Sequence, residues 1–139
     1  MSVDSTGMAA RLGIKPGMVV QELGWDEDAD EDLRDAIVDL SGGEMVDEDT
    51  DEVADVVLLW WREDDGDLVD ALVDAIASLA DDGVVWLLVP KSGRPGHVEP
   101  GDVTEAAPTA GLSQTSSISA AKDWSGIRLV TPKAARSRR

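Results

Sequence analysis

The chain is expected to fold as a single three-layer α/β domain, a mostly parallel sheet between helices that ends in an antiparallel hairpin. Two apolar runs carry that expectation. Residues 54–61 and 84–89 are continuously apolar from Val56 to Trp61 and from Val84 to Val89, the pattern of strands covered on both faces. Between them Leu68, Leu72, Ile76 and Leu79 recur at helical spacing, supported by Val69, Val73 and Ala80, so the three segments read as one βαβ unit.

The remaining elements follow in order. Pro16-Gly17 launches a first strand over 18–23. Asp30 is placed to cap a helix over 31–41, with Leu33, Ala36, Ile37 and Leu40 on one stripe and Gly42-Gly43 as its stop. Residues 44–53 are mostly carboxylates with Met45, Val46 and Val53 as their apolar side chains. They are too short for a full crossover and are expected to form a loop or at most a short edge strand. Asp67 caps the second helix, which is expected to stop at Asp81-Asp82-Gly83. Strand 84–89 feeds the loop Pro90-Lys91-Ser92-Gly93-Arg94-Pro95-Gly96-His97, whose prolines and glycines keep it from becoming helix. A short helix over 102–110 stops at Gly111, and strands over 113–120 and 126–131 pair through a turn around 123–125. Residues 1–15 are expected to be a flexible N-terminal segment with one helical turn near 8–12. The domain spans 16–131, and 132–139 form a disordered basic tail.

At 139 residues and 42% hydrophobic content the chain makes one domain, long enough to bury roughly two-thirds of its unfolded surface. Cysteine is absent, which removes disulfides, thiolate nucleophiles and thiolate metal ligands and fits a reducing cytoplasm. The first residues lack the basic and apolar regions of an export signal, and no apolar run approaches the roughly 20 residues that span a bilayer. The net charge of −17 is uneven. Residues 22–82 hold 24 acids against Arg34 and Arg62, a net −22, whereas residues 83–139 carry +4 and residues 1–21 carry +1. So negative a field repels phosphate backbones and excludes nucleic-acid binding by the domain body. It suits either plain solubility or an acidic face matched to a basic protein partner.

In an open α/β sheet, ligands sit beyond the carboxyl ends of the parallel strands. Those ends deliver Trp25 and Asp26, Trp61 and Arg62, and the loop bearing Lys91, Arg94 and His97 to one edge. These seven residues form the candidate ligand or partner crevice. Trp60 and Trp61 must face opposite layers. The basic cluster could dock an anion or carboxylate, or could answer the acids at 26–28 and 63–65 in surface ion pairs worth about 0–1 kcal/mol each. The loop after the first strand carries an indole and carboxylates where a phosphate cradle needs glycines. His97 is the one histidine, so no two-histidine metal site exists. Asp47, Asp49 and Asp51 have oxygen-ligand spacing, but the sixth and twelfth positions of that loop are Glu52 and Leu58 where an EF-hand needs Gly and Glu. No catalytic residue, metal or cofactor is assigned. The polar strand 113–120 reads as an exposed sheet edge.

The order strand, helix, strand, helix, strand, helix and hairpin resembles the second half of a class I methyltransferase, a Rossmann-like fold whose sheet finishes with an antiparallel strand inserted beside the last parallel ones. On that resemblance strands 54–61 and 84–89 match the fourth and fifth strands and the hairpin matches the sixth and seventh, a truncated form of the fold. Glu22-x-Gly24 echoes the start of that family's acidic-x-Gly-x-Gly cofactor loop, but Asp26 replaces the second glycine. Residues 42–53 cannot hold the second strand whose terminal acid would grip the ribose. The runs 19–28, 47–53, 56–62 and 90–100, among them Gln21-Glu22-Leu23-Gly24-Trp25 and Leu59-Trp60-Trp61-Arg62, are similar to a family of small actinobacterial proteins of unknown function, across about residues 10–133. The resemblance implies one compact cytoplasmic domain. The function expected is non-enzymatic, an acidic regulatory or scaffolding partner of another protein. The alternative is a binder of S-adenosylmethionine, or a methyltransferase-like enzyme, using the strand-end crevice.

Overall fold

A computed structural model of the chain describes residues 10–47 and 52–131. Its strands are β1 (Val20–Leu23), β2 (Ala54–Trp60), β3 (Leu79–Pro90), β4 (Ser113–Ser119) and β5 (Trp124–Val130), and they form one sheet in the order β1-β2-β3-β5-β4. The first three run parallel, and β5 lies antiparallel between β3 and β4. The sheet is therefore mixed, with two parallel and two antiparallel pairings, where a mostly parallel one was expected. The closing hairpin supplies one antiparallel ladder, and its insertion beside β3 supplies the other.

The helices are α1 (Glu31–Ser41), α2 (Leu68–Ile76) and α3 (Pro100–Thr109), and a single 3-10 turn, Glu63–Asp65, follows β2. Helix α1 begins where Asp30 accepts the Leu33 N–H at 2.8 Å and ends where Gly42, at φ 85°, donates to the Val38 carbonyl at 2.9 Å. Strand alternation sorts the apolar residues into two cores. Val57, Leu59 and Trp61 pack with Leu72 and Ala75 of α2 and Val103, Ala106 and Ala107 of α3. Val56, Leu58 and Trp60 pack with Leu33, Ala36 and Ile37 of α1. Strand β2 thus has no face in water, which is why its sequence does not alternate.

Several boundaries differ from expectation for tertiary reasons. Helix α2 stops at Ile76, and Leu79, which fits the helical stripe, instead starts β3 and pairs with Ala54. The Ala54 N–H donates to the Ser78 carbonyl at 2.7 Å and draws this stretch into the sheet. Helix α3 starts earlier, with Pro100 in its first turn, a position where the missing N–H costs nothing. Strand β5 starts at Trp124, whose ring is buried against Trp60, so the turn precedes that residue. Leu12 and Ile14, in the stretch expected to be loose, are buried in the α1-side core. Among the described residues of the stretch 44–53, Val46 makes one parallel bridge to Gln21, on the free side of β1. Asp49 and Asp51 of the expected oxygen-rich loop lie outside the described residues, as do residues 1–9 and the basic tail. No described helix is long and apolar enough to cross a membrane.

The Trp86 indole is 2% exposed and donates to the Leu12 carbonyl at 2.9 Å, which pins residues 10–14 across the α1 face. Trp86→Phe strands that buried carbonyl and removes ring volume, and is expected to lower stability by about 1–3 kcal/mol in urea unfolding of the full chain. A loss within about 0.5 kcal/mol, the size of an inert surface change, would show that this contact does not hold the segment.

Candidate functional site at the carboxyl edge

Beyond the carboxyl ends of β1 and β2 the chain makes a connected run of indoles, guanidiniums and carboxylates. Strand β1 ends in Glu22 and Leu23, then turns at Gly24 with φ 76°. A Cβ there would collide with the Trp60 carbonyl oxygen, so this glycine is required for the loop to approach β2. Glu22 is largely buried and accepts two hydrogen bonds from Arg34 of α1, Nε to Oε2 at 2.6 Å and Nη2 to Oε1 at 2.7 Å. Its Oε2 also accepts the Trp60 indole N–H at 2.9 Å. Arg34 stacks over the Trp25 ring, 5.5 Å from its centroid, and donates from Nη1 to Glu31 at 2.8 Å. The hydrogen bonds that Arg34 donates to Glu22, opposed by burial and joined by the charge of Glu22 and by the hydrogen bond to and charge of Glu31, push the Arg34 pKa further above its usual range.

Arg62 forms the second clamp. It pairs with Asp28 through both carboxylate oxygens, Nε to Oδ2 at 3.0 Å and Nη2 to Oδ1, and Nη1 donates to the Gly24 carbonyl at 2.7 Å. Its Nη1 also reaches Asp65 at 3.3 Å, and its guanidinium lies 5.2 Å from the centroid of Trp124. Trp124 packs edge-on against Trp60 with centroids 4.8 Å apart and donates from Nε1 to the Asp28 carbonyl at 3.2 Å. Burial alone would lower the Arg62 pKa, but the hydrogen bonds it donates to Asp28 and Asp65 and the charges of those carboxylates raise it overall. The Arg62 hydrogen bond holds the Asp28 carboxyl below its ordinary value against a smaller effect of burial. The Glu31 carboxyl is likewise held low by hydrogen bonds from Trp25 and Arg34.

The seven crevice residues are distributed unevenly around this run. Trp25 is 49% exposed, and its Nε1 donates to Glu31 at 3.2 Å. Asp26 is exposed and accepts the Glu27 N–H at 2.7 Å. No described residue other than glycine has a positive φ, so the backbone at Asp26 is not in the left-handed region. Trp61 is buried in the core beneath α2 and α3, on the face opposite Trp60. Arg62 is central. The loop bearing Lys91, Arg94 and His97 docks beside it through the Glu63 N–H on the Gly96 carbonyl at 2.9 Å. Its cations do not answer the acids at 26–28 and 63–65 as expected. Asp28 and Asp65 pair with Arg62, and Arg94 pairs with Asp123 at 2.9 Å. The Lys91 N–H donates to the Asp123 carbonyl at 2.9 Å. His97 Nδ1 lies 2.9 Å from the Pro90 carbonyl, which can only accept, so Nδ1 carries the proton.

Sequence reasoning did not single out Arg34, Asp28 or Trp124. The available signal was scarcity, since Arg34 and Arg62 are the two bases among 24 acids over residues 22–82. Among the described residues no group of three or more metal-ligating side chains comes together.

Comparison with known proteins places this geometry. A family model described as a protein of unknown function (DUF3052) matches residues 9–133. An uncharacterized protein of Mycobacterium tuberculosis is 57% identical over 135 residues, covering 97% of this chain and 85% of the relative. Among solved structures, a SAM-dependent methyltransferase from Aquifex aeolicus superposes with a TM-score of 0.62 at 14% identity, over 91% of this chain and 88% of the other. An O-methyltransferase from neocarzinostatin biosynthesis, in complex with S-adenosyl-L-homocysteine and 1,4-dihydroxy-2-naphthoic acid, superposes with a TM-score of 0.65 at 15% identity, over 91% of this chain and 53% of the other. At these identities the likeness is one of fold: an α/β domain on a mixed sheet resembling class I methyltransferases.

The Asp28 carboxyl has a lower pKa folded than unfolded, so its contribution to stability is present above the unfolded value of about 3.9 and fades as pH falls through the folded one. In Arg62→Met that depression is lost. Arg62→Met is therefore expected to be less stable than the parent near neutral pH, with the gap narrowing as pH falls from about 5 toward 3. Urea unfolding of both chains across that range, with an NMR titration of Asp28, measures it. A gap constant with pH would remove the Arg62–Asp28 pair as its cause.

Proposed function

The chain belongs to the DUF3052 family, and we propose that it works as a non-catalytic acidic domain in the cytoplasm, a regulatory or scaffolding component that binds a basic protein partner. The observation that carries this reading is the occupation of the carboxyl edge by the chain's own side chains. Arg62 spends its donors on the Gly24 carbonyl, Asp28 and Asp65, at the strand ends where an open α/β sheet would receive a ligand. Arg34 likewise claims both oxygens of Glu22. The acids left over face water: Glu27, Asp32, Asp35, Asp39, Asp64 and Asp70 are all exposed. Such a field speeds encounter with a cationic surface and sets the orientation of docking.

A second reading, binding of S-adenosylmethionine in the strand-end crevice, is supported by the fold likeness and by the glycine turn that follows Glu22. Titration with millimolar cofactor separates the two, read by calorimetry and by the fluorescence of the exposed Trp25. No heat and a flat signal are expected, and saturable binding would favour the second reading. For the first, affinity capture from native cells at low salt is expected to recover a stoichiometric basic protein that leaves as ionic strength rises. Recovery of no such partner at low salt would overturn it.

A further inference from the structure

Helix α2 carries more apolar surface than the core covers. Seven of its nine residues are apolar, a composition suited to a helix covered on all sides, yet the core receives one face of it. Leu72 and Ala75 are buried, and Leu68, Val69 and Ile76 pack at the margin of that core. Val73, one turn beyond Val69 on the same flank, is 51% exposed. That flank borders an open groove of about 300 Å3 between α2 and α3. The groove has Leu68, Val69 and Ala106 as its apolar floor and Asp67, Asp102 and Glu105 as its rim.

The rim is anionic throughout. Asp102 and Glu105 stand three residues apart on α3, Asp67 precedes α2, and all three are exposed. None of them forms an ion pair among the described residues, and the sequence from Glu63 to Pro90 holds no lysine or arginine. Exposed apolar surface rimmed by polar groups marks a protein contact, and here the rim has one sign. A second copy of this chain would bring a net charge of −17 to it and is repelled. The chain's own basic residues 132–139 have two alanines and a proline as their apolar side chains, too little to cover Val69 and Val73. The surface calls for cations and large apolar side chains together.

We propose that the groove between α2 and α3 docks a helix of a basic partner protein, one whose apolar stripe is flanked by lysines and arginines. The stripe packs on Val69 and Val73, and the flanking cations meet Asp67, Asp102 and Glu105. The choice of a basic partner rests on the function proposed above. Its placement between α2 and α3, rather than on Trp25 and the acids beside it, rests on the uncovered flank of α2.

The test is an NMR titration of the full-length, isotope-labelled chain with the amphipathic helical peptide acetyl-LKKLLKLLKKLLKL-amide, at about 150 mM salt to screen diffuse attraction. The controls are a scrambled peptide of the same composition without an apolar stripe, and the same peptide with glutamate in place of lysine. Saturable shifts are expected at Val69, Val73, Ala106 and Thr109 with the cationic amphipathic peptide and with neither control. Val73→Gln, which alters an exposed side chain and leaves the core intact, and the pair Asp102→Asn with Glu105→Gln are each expected to weaken binding about fivefold. The pair Asp32→Asn with Asp35→Asn removes the same charge from α1 and is expected to change affinity by less than about twofold. Shifts centred on Trp25 and Glu27, equal binding of the scrambled peptide, equal weakening by the α1 and α3 pairs, or absence of saturation would each overturn the groove as the docking surface. The basic-partner reading fails separately, when capture from native cells at low salt recovers no basic protein. A basic protein captured as well by Val73→Gln as by the parent would overturn the groove and leave that reading standing.

Discussion

Two arginines hold the acidic half of this molecule together. Between residues 22 and 82 there are 24 carboxylates and two cations, and mutual repulsion on that scale works against any compact state. Arg34 is spent on Glu22, largely buried at the end of β1, and Arg62, itself largely buried, on the exposed Asp28 in the loop that follows. Burying an arginine is favourable only when its remaining donors are also satisfied. Here Arg34 forks to Glu22 and Glu31, and Arg62 reaches Asp28, Asp65 and the Gly24 carbonyl. Trp25 and Trp124 offer ring faces to the two guanidiniums, and Trp60 links them through Glu22 and the Trp124 ring. Two half-buried acids of this region accept backbone N–H groups, Asp30 from Leu33 and Asp55 from Val19.

The edge geometry follows from how little chain separates α1 from β2. Among the described residues one bridge at Val46 flanks β1, in a sheet of five strands. With the strand ends drawn together by Gly24 against Trp60, the crevice expected of such a sheet becomes a packed edge. Its outer surface is Trp25 and a rim of carboxylates.

The elements legible in the sequence were those decided locally or by continuous burial. Strand β2, helix α1 with its Asp30 cap and Gly42 stop, and the closing hairpin fall in this group, and the strand, helix, strand, helix, strand, helix and hairpin order is the one observed. What was not legible depended on partners distant in sequence. Leu79 and Ala80 suit a helix as well as a strand, and a hydrogen bond from Ala54, some 25 residues away, decides between them. Asp123-Trp124-Ser125 has the composition of a turn, yet the buried contact with Trp60 puts Trp124 into β5. At the edge, Arg62 was visible because it ends a strand. Its partner Asp28 was hidden among equivalent acids, and Arg34 looked like an ordinary helix-surface residue.

The most direct test of the central claim is a double-mutant cycle on Arg62 and Asp28, measured by urea unfolding beside the same cycle on Arg94 and Asp123. In the second pair the arginine is exposed, its side chain 51% accessible against 12% for Arg62, while both acids are open to water at 39% and 54%, and it is expected to couple by less than about 1 kcal/mol. If Arg62 holds the edge together, its coupling to Asp28 should clearly exceed that of the control, reaching about 1–2 kcal/mol. Equal coupling in the two pairs would contradict the account, because the edge would then be held by packing of its indoles and not by its arginines.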